Sequence, residues 1–107
     1  MNISEEDNRR IVEWARKHPG IRAVYLYGSR ARMDNSADSD IDLGVSMVPT
    51  SHDDAYNVWW NWHERYKANL DLHLSHPVHL EWYEKDAGLE RVGPGVERDG
   101  ELIYPVE

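Results

Sequence analysis

Three carboxylates and one glycine–serine pair carry the chemistry latent in this chain. Gly28-Ser29 is followed, after a ten-residue spacer, by Asp40-Ile41-Asp42, and a third acid, Asp71, stands in the run Leu70-Asp71-Leu72-His73-Leu74. Side chains alternate along a strand, so Asp40 and Asp42 share a face, roughly 6–7 Å apart. Paired divalent ions in a two-metal site lie about 3.5–4 Å apart. Acids at i and i+2 can therefore bracket such a pair. Asp71 completes the set if its strand lies beside Asp40–Leu43 in the same sheet, with Asp71 and His73 on the open face and the leucines under helices. Hard oxygen donors suit Mg²⁺, which keeps some waters and takes further ligands from phosphate. Without a cation, two like charges about 4 Å apart cost about 4 kcal/mol at an effective dielectric of 20. Such a cluster points to a ligand more than to stability.

Gly28 lets the backbone approach a ligand closely and adopt dihedrals closed to other residues. Ser29 adds a hydroxyl. If a helix begins at Arg30, its free N–H groups aim at the same spot, which suits phosphate. Arg30 and Arg32 either add positive charge for a polyphosphate or pair with Asp34 and Asp38.

The elements that must position these groups follow from pattern. Ser4 reads as a helix N-cap, with Glu5, Glu6 and Asp7 favouring the positive helix end. Ile11, Val12, Trp14 and Ala15 form the apolar stripe, and His18-Pro19-Gly20 stops the helix. Ile21 to Tyr27 reads as a strand closed by Gly28-Ser29, with a short helical turn over Arg30–Arg32 and a polar turn from Met33 to Ser39. Asp40 to Met47 reads as the second strand. Ser51 to Ala68 reads as a helix with Ala55, Trp59, Trp62 and Tyr66 toward the core. Leu70 to Ser75 is expected as the third strand, ended by Pro77, and Val78 to Lys85 as a short helix. Gly93-Pro94-Gly95 is expected to interrupt the tail, with a turn near Val96-Glu97-Arg98 before the apolar Leu102-Ile103-Tyr104. This order predicts an α/β (α+β) fold over residues 1–107 as one domain, a small mixed sheet with helices packed on one face.

Bulk composition narrows the classes. The chain has 107 residues, of which 40% are hydrophobic, enough for a modest core. A formal net charge of −8 argues against general affinity for nucleic acid and favours a basic protein partner or a metal-neutralised acidic site. With no Cys, thiolate metal sites and disulfides are excluded, which suits a cytoplasmic location. The acidic start, Met1 to Asp7, is not a signal peptide, and no run reaches membrane-spanning length.

Competing readings fail on spacing. A calcium loop starting at Asp34 needs Gly at the sixth position and Glu at the twelfth, where Ser39 and Val45 stand. No Walker lysine follows Gly28. His73, His76 and His79 invite a zinc reading, but Pro77 breaks any helix between them. Trp59 and Trp62 belong to the core by helical spacing, while Trp60 lies off that stripe, open to an interface.

Gly28-Ser29-Arg30-Ala31-Arg32 followed by Asp38-Ser39-Asp40-Ile41-Asp42-Leu43 resembles the signature of the polymerase-beta-like nucleotidyltransferase superfamily. Length and the downstream acid are similar to its minimal nucleotidyltransferases, several of which are antitoxins paired with a HEPN ribonuclease toxin. The resemblance covers residues 20 to 76 best. It implies that Gly28 and Ser29 hold the β- and γ-phosphates of ATP, with Arg30 beside them. It implies that Asp40 and Asp42 bind Mg²⁺, and that Asp71 binds the catalytic metal and helps deprotonate the acceptor. It further implies transfer of AMP to a tyrosine of the toxin, in a hetero-oligomer with it. Departure from the family is expected at Gly93-Pro94-Gly95.

Overall fold

The computed structural model describes residues 3–66, 71–85 and 92–105. The elements are α1 (Glu5–Arg16), β1 (Ile21–Tyr27), α2 (Ser29–Arg32), β2 (Ile41–Met47), α3 (Ala55–Tyr66), β3 (Val78–Trp82), α4 (Val92–Asp99) and β4 (Glu101–Tyr104). The sheet order is β3-β2-β1-β4. β1 runs antiparallel to both β2 and β4, whereas β2 and β3 are parallel. A parallel pair needs a crossover, and the segment carrying α3 supplies it.

Ser4 caps α1 as expected, its hydroxyl accepting from the Asp7 N–H at 3.0 Å. Ile11, Trp14 and Ala15 of α1, with Trp59 of α3, cover Val24, Leu26, Ile41, Leu43 and Val45 on one sheet face. These strand residues are buried because they alternate with Tyr25, Asp42 and Gly44, which take the other face. There Tyr25 and Tyr27 pack on Tyr83 and on Val96 of α4, a second and smaller cluster. Trp60 lies half-exposed, off the core stripe.

Three expectations change. Residues 71–75 do not join the sheet, although burial alternates there as predicted: Leu72 is buried while Asp71 and His73 are exposed. Leu70 and Ala68, and the side chain of Tyr66, lie outside the described residues. The segment is held to α1 instead. Asp7 accepts hydrogen bonds from the Ser75 N–H, at 3.0 Å, and from the Ser75 hydroxyl. Arg10 donates to the His73 carbonyl at 3.1 Å.

The second change is at Val78 to Lys85, which begins as a strand rather than a helix. Its Val, Leu and Trp alternate with His79 and Glu81, a strand period. The ladder extends past the strand at both ends. Ile41 N–H donates to the Pro77 carbonyl at 2.8 Å, Tyr83 N–H to the Val45 carbonyl at 2.9 Å, and the Ser46 hydroxyl to the Tyr83 carbonyl at 2.6 Å.

The third change is that Gly93-Pro94-Gly95 opens α4 instead of interrupting it. Proline is tolerated in a first helical turn, whose N–H groups have no intrahelical acceptor. Gly95 lets the helix lie on the Tyr27 ring, where an added Cβ would stand 3.2 Å from Cδ2.

Candidate active site

The site forms where β1 ends and β2 begins. Antiparallel pairing puts Tyr27 opposite Asp42. Gly28 then turns the chain at φ 75°, ψ −155°, a region that only glycine occupies readily. A Cβ on Gly28 would sit 2.5 Å from Asp42 Oδ2. The glycine backbone and this carboxylate are therefore in direct contact. Ser29 begins the single turn of α2, and its carbonyl accepts from the Asp34 N–H at 3.0 Å.

Arg30 is buried, and its Nε and Nη2 both donate to the Ser39 carbonyl, at 3.1 and 2.7 Å. It clamps the residue before Asp40 and so fixes where β2 starts. Its place beside Gly28-Ser29 predicts a phosphate contact; its hydrogen bonds to Ser39 give it a positioning duty. Arg32 pairs with Asp34 at 3.0 Å.

Asp40 is exposed just ahead of β2, and Asp42 is half-buried within it. The Asp42 carboxyl is pushed above the usual carboxylate range. Burial is the main cause and the Asp40 charge adds to it, while His79 and Arg32 oppose the shift. A half-buried carboxylate with a second, exposed carboxylate beside it fits a divalent cation. Asp40 and Asp42 are the residues present to hold one, with phosphate oxygens and water completing its shell.

Asp71 does not join them. Its Oδ1 lies 3.3 Å from Nε2 of His18, which sits just before β1. His18 Nδ1 accepts from Trp62 Nε1 at 3.2 Å, so Nε2 carries the proton and donates to Asp71. Asp42 faces the far end of β1, whose seven residues span roughly 20 Å. The expectation that Asp71 shares a cation with Asp40 and Asp42 is corrected accordingly. It required residues 71–75 to lie beside β2, and β3 lies there instead.

What β3 brings is His79, directly opposite Asp42, with Glu81 opposite Gly44. His79 Nδ1 stands 3.5 Å from Asp42 Oδ1, and its Nε2 stands 3.2 Å from Glu81 Oε1. The sequence singles out His79 only as one of three spaced histidines, and a helix over Val78 to Lys85 does not place it beside Asp42; the alternation Val78-His79-Leu80-Glu81-Trp82 is the signal that does. His73, His76 and His79 make separate contacts. His76 Nδ1 meets the Ser75 hydroxyl at 2.9 Å, and His79 turns to Asp42. Among the described residues, no three His, Asp or Glu side chains stand already gathered for a metal ion.

A strand-to-helix corner that exposes glycine backbone against a carboxylate, on a mixed sheet with α1 and α3 behind it, defines a nucleotidyltransferase domain. Residues 9–87 match the family described as Polymerase beta, Nucleotidyltransferase, and the chain belongs to that family. Among solved structures, it is similar to a toxin–antitoxin crystallised with AMP-PNP, at 20% identity and a TM-score of 0.58, covering 94% of this chain and 74% of that one. It is also similar to a mutant form of the toxin–antitoxin MntA-HpeT, at 18% identity and a TM-score of 0.57, with coverage of 94% and 74%. At these identities the likeness is one of fold. None of the curated proteins matches the chain.

Proposed function

We propose that residues 1–107 act as one minimal nucleotidyltransferase that moves AMP from ATP to a protein hydroxyl, a tyrosine of a HEPN ribonuclease toxin, and so serve as the antitoxin. The observation that carries this reading is the contact between the Gly28 corner and the Asp42 carboxylate. Backbone suited to phosphate and oxygen suited to cation occupy one spot, as a metal-bound triphosphate requires. Two toxin–antitoxin structures of the same fold, one of them crystallised with AMP-PNP, favour the partner and the nucleotide.

In this reading Gly28 and Ser29 receive the β- and γ-phosphates, and Asp40 and Asp42 hold Mg²⁺. The cation would supply charge neutralisation on the triphosphate. Arg30 keeps Asp40 in place through Ser39. The acceptor oxygen forms a bond to the α-phosphorus, the α–β phosphoanhydride bond breaks, pyrophosphate departs and the hydroxyl proton passes to water. The added adenylyl group brings bulk and negative charge to the toxin, which opposes RNA binding. The net charge of −8 suits a basic partner and a cytoplasmic protein complex, and not a nucleic-acid ligand. No helix among the described residues is long and apolar enough to cross a membrane.

A second reading is favoured by one observation, the placement of Asp71 on His18. With two carboxylates rather than three at the corner, the chain neutralises its partner by binding alone. Incubation of the purified pair with Mg·ATP separates the two. A mass gain of one or more AMP units on the partner, lost together with neutralisation in Asp40→Ala/Asp42→Ala, supports transfer. Neutralisation that persists in the double variant supports binding.

A further inference from the structure

We propose that His79 supplies an imidazole nitrogen to the cation site built on Asp40 and Asp42, so that the site prefers a first-row transition ion such as Mn²⁺ over Mg²⁺. The inference rests on the nucleotidyltransferase reading above and deepens it by naming the metal class.

The parallel register between β2 and β3 sets His79 level with Asp42 on the sheet face opposite α1 and α3. Side chains at paired positions of neighbouring strands point to the same side, so the two groups are held as neighbours by backbone hydrogen bonds and not by chance rotamers. The ladder continues on both sides of the pair, at Pro77 and at Tyr83. Nδ1 and Oδ1 are 3.5 Å apart. Two donors each about 2.1 Å from one ion, at angles between octahedral and tetrahedral, are roughly 3.0–3.4 Å apart. A side-chain adjustment of a few tenths of an ångström therefore turns the observed pair into two ligands of one cation.

The next position on this face of β2 brings no competing side chain. Gly44 has no side chain, and Glu81, its partner on β3, reaches back to His79 Nε2 at 3.2 Å. That contact is what a metal-bound imidazole needs. A carboxylate on the remaining nitrogen fixes the tautomer, leaves the other nitrogen's lone pair free for the ion and raises its basicity. His79 is half-exposed and Asp42 is a quarter exposed, so a hydrated ion can reach them. Oxygen-only sites suit Mg²⁺, and imidazole shifts preference toward transition ions, since Mg²⁺ gains little from a nitrogen donor.

The test uses the full chain with Mn²⁺ and Mg²⁺, with and without α,β-methylene-ATP, an analogue that resists attack at the α-phosphorus. Electron spin-echo spectroscopy of bound Mn²⁺ reads nitrogen coordination directly. The expected result is an imidazole ¹⁴N modulation that changes when the protein carries ¹⁵N-histidine and disappears in His79→Asp. Calorimetry should give Mn²⁺ at least about a tenfold lower Kd than Mg²⁺, the scale that even partners of a metal ligand command. That gap should close in His79→Asp and in a second variant, His79→Asn. Mn²⁺ that binds through Asp40 and Asp42 with no histidine nitrogen signal overturns the proposal and leaves the parent reading standing. Failure of both ions to bind, even with the analogue, overturns both. The isotope experiment needs no variant, so a folding defect in either substitution does not blunt it.

Discussion

Replacing Gly28 with alanine tests the corner on which the site is built. Two costs follow from the geometry. Gly28 sits at φ 75°, ψ −155°, where a residue with a side chain is strained by about 1–3 kcal/mol. The new methyl would also lie 2.5 Å from Asp42 Oδ2, against the 3.4 Å at which ordinary contact begins. Relief requires the carboxylate or the corner to move by about 0.9 Å, and displacement on that scale costs about 100-fold in a positioned reaction. The melting temperature should fall by roughly 4–8 °C for each kcal/mol of strain. The readouts are thermal melting by circular dichroism and transfer of labelled AMP to the partner. Gly20→Ala is the control: its Cβ would meet Met47 Cε at 3.5 Å, an ordinary contact, and φ is not positive there. That variant should behave as the wild type. If Gly28→Ala melts with the wild type and transfers AMP at an undiminished rate, the corner is not what holds Asp42 and nucleotide together, and the reasoning is refuted.

Asp42→Asn should raise the melting temperature of the metal-free protein at neutral pH while abolishing transfer. The folded-state pKa of Asp42 is raised, chiefly by burial, so its favourable contribution is complete below the unfolded pKa and is lost as pH rises through the folded value. The advantage of the variant should therefore grow from pH 4 to pH 7 in melting scans, and an offset independent of pH would contradict the assignment. Asp71→Ala should leave AMP transfer unchanged and cost about 1 kcal/mol in denaturant titrations, as for one hydrogen bond from an exposed carboxylate; a loss of transfer comparable with Asp40→Ala would restore Asp71 to the site. Arg30→Ala should reduce transfer more than it reduces ATP affinity, because it releases Ser39 and with it the start of β2, and equal affinity and rate in the variant would show that the clamp is idle.

The strand ends that carry Gly28-Ser29 and Asp40-Ile41-Asp42 are legible in residue order. Ser4 capped its helix because a hydroxyl accepting from N3 is a local interaction. Ile21–Tyr27 and Ile41–Met47 formed strands because period-two burial is written in residue order. Gly28-Ser29 fell at the end of the first strand, and Asp40 and Asp42 at the start of the second, because chain connectivity over a short spacer leaves little else possible. The helical reading of Val78 to Lys85 failed where a short apolar alternation admits two periods, and the neighbouring β2 decided between them. The interruption expected at Gly93-Pro94-Gly95 is absent because Tyr27 offers a ring on which a glycine face of a helix can lie.

The sequence by itself determined the corner: one glycine, its serine and two carboxylates, tied by adjacency and strand alternation. Only the tertiary structure decided which segment stands beside β2, since both 71–75 and 78–82 alternate apolar with polar residues and either would satisfy the edge. Asp7 gripping Ser75 and Arg10 holding the His73 carbonyl keep the first segment on α1, while the Pro77 carbonyl and Tyr83 N–H tie the second to β2. Those contacts join residues more than thirty positions apart, so no local pattern encodes them. They are the reason that an imidazole, and not a third carboxylate, faces Asp42.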